Sequence, residues 1–412
     1  MNTHSITVDA LSRLSERAER VIKSFQDASI SETGSSEREQ RKYTITEAAR
    51  MVGKTPEGIR NAEKNGNLPM PEKDARGRRT PYTLNQINTM RDYWQCRPGK
   101  QTNDEPIRFS FQNFKGGVGK TTLSVACAQY LAQAGYRVLL IDCDSQASTT
   151  MTFGITPDKE LEGNQTLLPF LYGEADSLHY AIRGTHWPGL DLIPANLELY
   201  SAEYYLASIG GTNEGEGWID RLDEGITTVE NDYDIVMIDP PPALGMISLS
   251  ALRALDGLIV PTPPAMYDFH STSSFLVMLE EVMTQIQESL GEPIELDFLK
   301  VAVSKKMPGR QAHDFVHDVM NSIFEKDMLQ NPLVLSAEID NAGSAWQTVY
   351  DQNGPGGSRE TYKRCLKAMD AVFAEVRALL EDVWEARRRE QRMDSIGSEN
   401  PERAGQREYQ TA

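Results

Sequence analysis

Cysteine is scarce in this 412-residue chain: Cys96, Cys127, Cys143 and Cys365 stand far apart and form no CxxC pair. That excludes a disulfide framework and the paired spacing of zinc and iron–sulfur sites, and reads as free thiols in a reducing compartment. Long apolar runs are missing too. No uncharged apolar stretch approaches the roughly 20 residues of a membrane-spanning helix. The opening "MNTHSITVDALSRLSERAER" lacks the basic-then-apolar order of a secretory signal, so a cytoplasmic location is expected. Positive charge is in deficit, 42 Lys and Arg against 60 Asp and Glu for a net −18, which argues against a chain that coats nucleic acid with its whole surface.

The positive charge that is present is concentrated. From Arg38 to Lys100 there are 14 Lys and Arg against 7 Asp and Glu, a basic island that suggests one dedicated anionic partner. Before it, residues 1–37 form an arm and linker in which Leu11, Leu14, Ala18, Val21 and Phe25 recur at steps of three and four, an apolar seam on a helix with charged flanks. The polar "SISETGSSEREQ" that follows isolates this helix, favouring a dimerising or docking role over packing on its own domain.

Residues 38–96 read as a compact helical unit. Thr44 and Glu47 have capping-box spacing, Gly53 ends that helix, Thr55 and Pro56 start the next, and Asn65-Gly66 stops it. Two short helices joined by a tight turn make a helix-turn-helix. "PEKDARGRRTPYTL" then supplies a hairpin turn at Gly77 crowded by Arg76, Arg78 and Arg79, before Thr83 caps a helix through Trp94. Many helix-turn-helix units bind protein, and a charged turn can simply be solvated; three arginines suited to phosphate or a minor groove favour DNA. The segments "YTITEAARMVG", "GIRNAEKNGNLP" and "RGRRTPYTLNQIN" resemble the MerR-like DNA-binding domain. That resemblance implies a winged helix-turn-helix with a recognition helix around Arg60 and an arginine-rich wing.

A polar linker, residues 97–106, leads to the largest domain, 107–392. Its apolar runs "IRFSFQNF", "RVLLIDCD", "LDLIPA", "YDIVMIDPP", "GLIVPTPP" and "LDFLKVAVSK" alternate with helical patterns, which predicts an α/β fold with a parallel sheet covered by helices on both faces. Residues 210–217 and 353–358 are glycine-rich and expected in mobile surface loops. A final helix at about 359–388 carries Tyr362, Leu366, Met369, Phe373, Val376, Leu380 and Val383 on one face, and the polar tail 393–412 is expected to be disordered.

Between the first strand and its helix lies "KGGVGKTT", Lys115 to Thr122. It fits the phosphate-loop pattern if Lys115 takes the place of the leading glycine. Gly116, Gly117, Val118 and Gly119 let backbone N–H groups wrap phosphate oxygens, Lys120 adds charge at the β- and γ-phosphates, and the Thr121 hydroxyl suits Mg²⁺, with Thr122 completing the helix start. Lys115 sits too early in the loop to add much to a phosphate already held by Lys120. "VLLIDCDSQAST" ends a strand with Asp142 and Asp144, and "YDIVMIDPPPALG" ends one with Asp239, placed to hold Mg²⁺ through water. "VPTPPAMYDFHSTS", with Tyr267, Asp268 and His270, follows another strand end and is expected near the nucleotide or dimer interface.

"KGGVGKTT" resembles the deviant Walker A box of the ParA and MinD superfamily of P-loop NTPases. The resemblance implies that ATP holds a homodimer face to face, with Lys115 reaching the partner's phosphates, and that hydrolysis to ADP separates it. It also implies that Asp144 positions the attacking water and Asp142 lies near the metal. Ser145 departs from the usual proline and Pro240 from the commonest threonine. The domain order looks like type Ia ParA, with the RepA proteins of RepABC plasmids closest in pattern over about residues 40–380. This implies a plasmid-partitioning ATPase, nucleoid-associated, with nonspecific DNA binding, a ParB-like (RepB-like) centromere-binding partner and repression of its own operon. Arg359, Lys363, Arg364 and Lys367 offer a basic cluster at helical spacing for nonspecific DNA, or an ordinary solvated face. A MinD-like positioning ATPase is disfavoured by Glu375, Glu381, Asp382 and Glu385 on the last helix, which suit a membrane surface poorly. A nucleotide-responsive repressor would not need Lys115, Asp144 and Asp239 together.

Overall fold

The computed structural model describes residues 12–18, 20, 21, 24, 41–210, 217–291, 293–352, 354 and 357–398. The described residues of the N-terminal arm are helical and exposed, with Leu14 and Val21 open to solvent; Leu11 and Phe25 of the expected seam lie outside them, as do most of the two glycine-rich stretches and residues 399–412.

Seven strands form one sheet: β1 Ile107–Phe111, β2 Val138–Asp142, β3 Arg183–Gly184, β4 Leu190–Ile193, β5 Ile235–Asp239, β6 Gly257–Thr262 and β7 Phe298–Val303. Their order is β3-β4-β2-β5-β1-β6-β7, and every pairing is parallel except β3 with β4. The six expected runs are the six parallel strands. The two-residue antiparallel β3 was not anticipated, being too short to carry a pattern. Every residue of β2, β5 and β6 is buried, as strands covered on both faces must be. Alternation then divides them: Val138, Leu140, Ile235, Met237 and Ile259 enter one core, and Leu139, Ile141, Val236, Ile238, Leu258 and Val260 the other.

The first face is covered by α4 Lys120–Ala134 and the last helix, α7 Arg359–Ser398. Alanines at 126, 128 and 132 and Cys127 let α4 lie close on the sheet. Met369, Phe373, Val376, Leu380 and Val383 of α7 are buried along the expected seam. The helix runs on past residue 388 to Ser398, because "RRREQRMD" contains good helix formers and no glycine or proline to stop it. The opposite face carries α5 Met266–Leu290, α6 Gln311–Phe324 and the helices Tyr200–Ile209, Arg221–Thr227 and Met246–Arg253.

The N-terminal unit has three helices, α1 Ile45–Met51, α2 Pro56–Lys64 and α3 Leu84–Tyr93. Thr44 with Glu47 and Thr83 with Gln86 form reciprocal capping boxes, and Thr55 caps α2 ahead of Pro56. The expected hairpin is a turn at Gly77 (φ +72°) closed by a single Lys73–Arg79 bridge, and a second bridge joins Tyr43 to Tyr82. This unit docks on the C-terminal end of α4. Arg91, 2% exposed, donates to the Gln133 carbonyl at 2.8 Å and to Asn88, Arg97 donates to the Gly135 carbonyl, and Tyr43 Oη reaches Gln133 at 3.0 Å.

Candidate functional site

The carboxyl edge of the sheet gathers the sequence-predicted residues. After β1, Asn113 anchors the loop: its Nδ2 donates to the Pro261 carbonyl and to Thr272 Oγ1, both at 3.0 Å, and its Oδ1 accepts from the Lys115 backbone N–H. Gly117 (φ +74°) and Gly119 (φ +101°) hold left-handed backbone conformations, and a Cβ would meet nothing within 4 Å at either, so the demand for glycine is conformational. Gly119 opens α4 without any side-chain cap, leaving first-turn N–H groups directed outward as an anion cradle. Gly116 and Gly117 are exposed, Val118 is buried beneath the loop, and Thr122 is exposed on the first helical turn.

Lys120 is 7% exposed, with Nζ donating to the Lys115 carbonyl at 3.3 Å. Burial pushes its ammonium below the usual lysine range, opposed by Asp239 and Asp144. Lys115 points elsewhere, its Nζ 2.7 Å from Asp268 Oδ1.

Asp142 and Asp239 are partners in register across β2 and β5, and both are buried. Asp239 accepts from Ser124 Oγ at 3.0 Å, from Thr149 Oγ1 at 2.7 Å and from Thr121. Asp142 accepts from Thr150 N and Oγ1 and from the Asp144 N–H. Burial, then the neighbouring Asp239 charge, push Asp142 up to about 8; burial also raises Asp239. Two adjacent buried carboxylates with hydroxyl donors and no cationic hydrogen-bond partner, beside Thr121, fit a hard divalent cation. No cluster of three His, Cys, Asp or Glu that could hold a metal ion by itself is found among the described residues. Asp144 is half-buried at the rim, and its Oδ1 accepts from the Gln146 N–H. Ser145 does not prevent this turn, which closes with Ala147 at φ +54°. Ser124 and Thr149 were not singled out as site residues by sequence reasoning, and only the helical step from Lys120 to Ser124 could have suggested one of them; Asp268 falls in the segment expected near the nucleotide or dimer interface.

A family model described as an AAA domain matches residues 108–291. Protein SopA of Escherichia coli (strain K12) is 35% identical over 357 residues, covering 84% of this chain and 90% of SopA. A protein called putative replication protein A from Sinorhizobium fredii is 29% identical over 362 residues, covering 84% and 87%. The chain belongs to the ParA-type partition ATPases. A solved structure titled "Partition Protein" shares the fold at TM-score 0.63 and 22% identity, covering 90% of this chain and 98% of that one. An ATP complex of McdA from Cyanothece does so at TM-score 0.54 and 21% identity, covering 66% and 97%.

In this ParA-type chain the predicted DNA-contacting residues fall into three groups. Arg60, Arg76 and Arg78 are exposed on the small unit, Arg60 3.5 Å from Glu57 and Arg78 3.4 Å from Asp74. Arg79 turns inward and pairs with the buried Glu63 carboxylate and with Tyr82 Oη at 2.7 Å, so its guanidinium holds the turn onto α2. Arg359, Lys363, Arg364 and Lys367 are exposed on the first turns of α7. His270 and Tyr267 are exposed near the start of α5.

Proposed function

We propose that this protein is a Mg²⁺-dependent ATPase that segregates plasmid copies, dimerising around ATP and binding DNA without sequence preference in that state. The observation that carries the reading is the division between two lysines of one loop. Lys120 is buried where it serves its own protomer's phosphates, whereas the Lys115 side chain is 38% exposed and directed away from the cradle. A lysine so placed is not committed to its own protomer's phosphates, which leaves it for those of a second copy once it parts from Asp268.

In this reading the N–H groups of residues 116–122 cradle the phosphates and Lys120 neutralises them. Thr121 and Asp239, with Asp142 behind, would hold Mg²⁺, which would supply charge neutralisation at the phosphates. Asp144 orients the attacking water from the rim. Turnover is slow until a ParB-like centromere-binding partner completes the site. The small unit acts as a winged helix-turn-helix that reads the operator through Arg60, Arg76 and Arg78, and Arg359, Lys363, Arg364 and Lys367 track phosphates of the nucleoid. No helix among the described residues is long and apolar enough to cross a membrane.

Fluorescence anisotropy of a labelled random duplex, with no nucleotide, ADP or a slowly hydrolysed ATP analogue across a salt series, tests this. Binding that requires the analogue and weakens with salt is expected. Binding indifferent to nucleotide would leave a repressor whose ATPase serves another purpose.

A further inference from the structure

The segment "PTPPAMYDFHST" is left without a role by the proposed mechanism, yet it holds the lysine on which that mechanism turns. Asp268 lies in the first turn of α5, where the helix dipole favours its charge, and its side chain is only 19% exposed. Its Oδ1 is 2.7 Å from Lys115 Nζ. The two elements are braced at that separation: Asn113 joins the loop base to the end of β6 and to Thr272 of α5, and Thr272 bonds Thr262 at 2.9 Å. Beside the pair, Met266 and Tyr267 face solvent, 57% and 87% exposed, so the ion pair lies next to an open surface.

We propose that Asp268 is a latch that holds Lys115 within its own protomer until a second nucleotide-loaded copy competes for it; this rests on the reading that Lys115 acts in trans. A lysine paired with Asp268 cannot also reach a partner's phosphates, so the dimerisation-competent fraction of each protomer is the fraction with the latch open. The nucleotide-free protein is thereby biased against sandwich formation. A triphosphate, carrying more negative charge than Asp268, draws Lys115 across. Asp268 is a positioning residue: it acts through Lys115.

Asp268→Asn keeps the shape of the side chain and removes its charge. The expected result by sedimentation is an ATP-dependent dimer whose apparent Kd is roughly three- to tenfold lower than that of the wild type, as for loss of a partly exposed ion pair. Asp268→Glu should restore the wild-type value. In a Lys115→Ala background the substitution should change nothing. An unchanged or weaker dimer, or the same gain without Lys115, overturns the latch. The pair is also read in nucleotide-free protein from the methylated-lysine NMR resonance of Lys115, assigned with Lys115→Arg. Asp268→Asn should shift that resonance, and an unmoved resonance overturns the latch even if the wild type never dimerises. A wild type that stays monomeric with ATP while the resonance shifts overturns the sandwich reading and leaves the cis pair standing.

Discussion

Two sets of buried carboxylates in this chain are treated in opposite ways. Asp351, its side chain 4% exposed, accepts from His186 Nε2 and Trp187 Nε1 at 2.7 Å, from the Thr348 N–H at 2.8 Å and from Gln129 Nε2. Burial alone would raise it, but these partners hold it down at about 2. Asp142 and Asp239 are buried as deeply, lie beside each other and receive hydroxyl and amide donors only, so both are pushed upward. The comparison separates structural charge from functional charge. Asp351 ties α4 to β3's turn and the 348–351 segment through donors that include an imidazole; the pair at the sheet edge has hydroxyl and backbone amide donors.

The largest expected effect is at the cradle. Lys120→Ala should abolish ATP-dependent dimerisation, and a dimer by light scattering with ATP would refute the loop assignment. Asp144→Ala should still bind ATP while turnover falls roughly 100-fold, the scale for losing a group that handles the nucleophile; wild-type phosphate release would remove it from the mechanism.

Asp351→Asn tests the structural set. Because its folded pKa of about 2 lies below the ordinary carboxylate value of 3.8, its contribution is present above about pH 4 and lost as pH falls through 2. At pH 7 the substitution should cost on the order of 2 kcal/mol in urea unfolding. A variant as stable as the wild type there would show that the donors do not act as claimed. Asp142→Asn should do the reverse. With its folded pKa raised from 3.8 to about 8, the wild-type group stabilises the fold fully below about pH 4 and loses that contribution as pH rises through 8. Nucleotide-free Asp142→Asn should therefore melt higher than the wild type at pH 8 and gain less from Mg²⁺ and ATP. A lower Tm at pH 8 would mean that Asp142 is structural.

The smallest effects divide the arginines of the Gly77 turn. Arg79→Ala takes the cation from the buried Glu63, which keeps its Tyr82 Oη donor, and should destabilise the protein by about 1 kcal/mol, the pair being partly exposed. Arg78→Ala, exposed, should leave thermal melting unchanged and weaken operator binding severalfold without touching nonspecific binding. Equal loss of both kinds of binding would remove Arg78 as the specific reader.

Much of this was legible locally. The six parallel strands, the phosphate loop, Asp142 and Asp239 at strand ends, and the caps at Thr44, Thr55 and Thr83 all follow from patterns within a few residues. Sheet order was not legible, since it depends on crossovers that local periodicity does not encode. The same holds for partners far apart in sequence: Arg79 with Glu63, Lys115 with Asp268, and Asp351 with His186 are made by the fold. Arg79 shows the consequence, because three arginines in one turn look alike in sequence and only the partners the fold gives them tell them apart.

The proposed dimer turns on Lys115 acting on a second copy. The direct measurement is nucleotide binding and sedimentation of Lys115→Ala side by side with the wild type. ATP binding near the wild-type affinity with no ATP-dependent dimer is the predicted result. A dimer that forms as readily as in the wild type would contradict it.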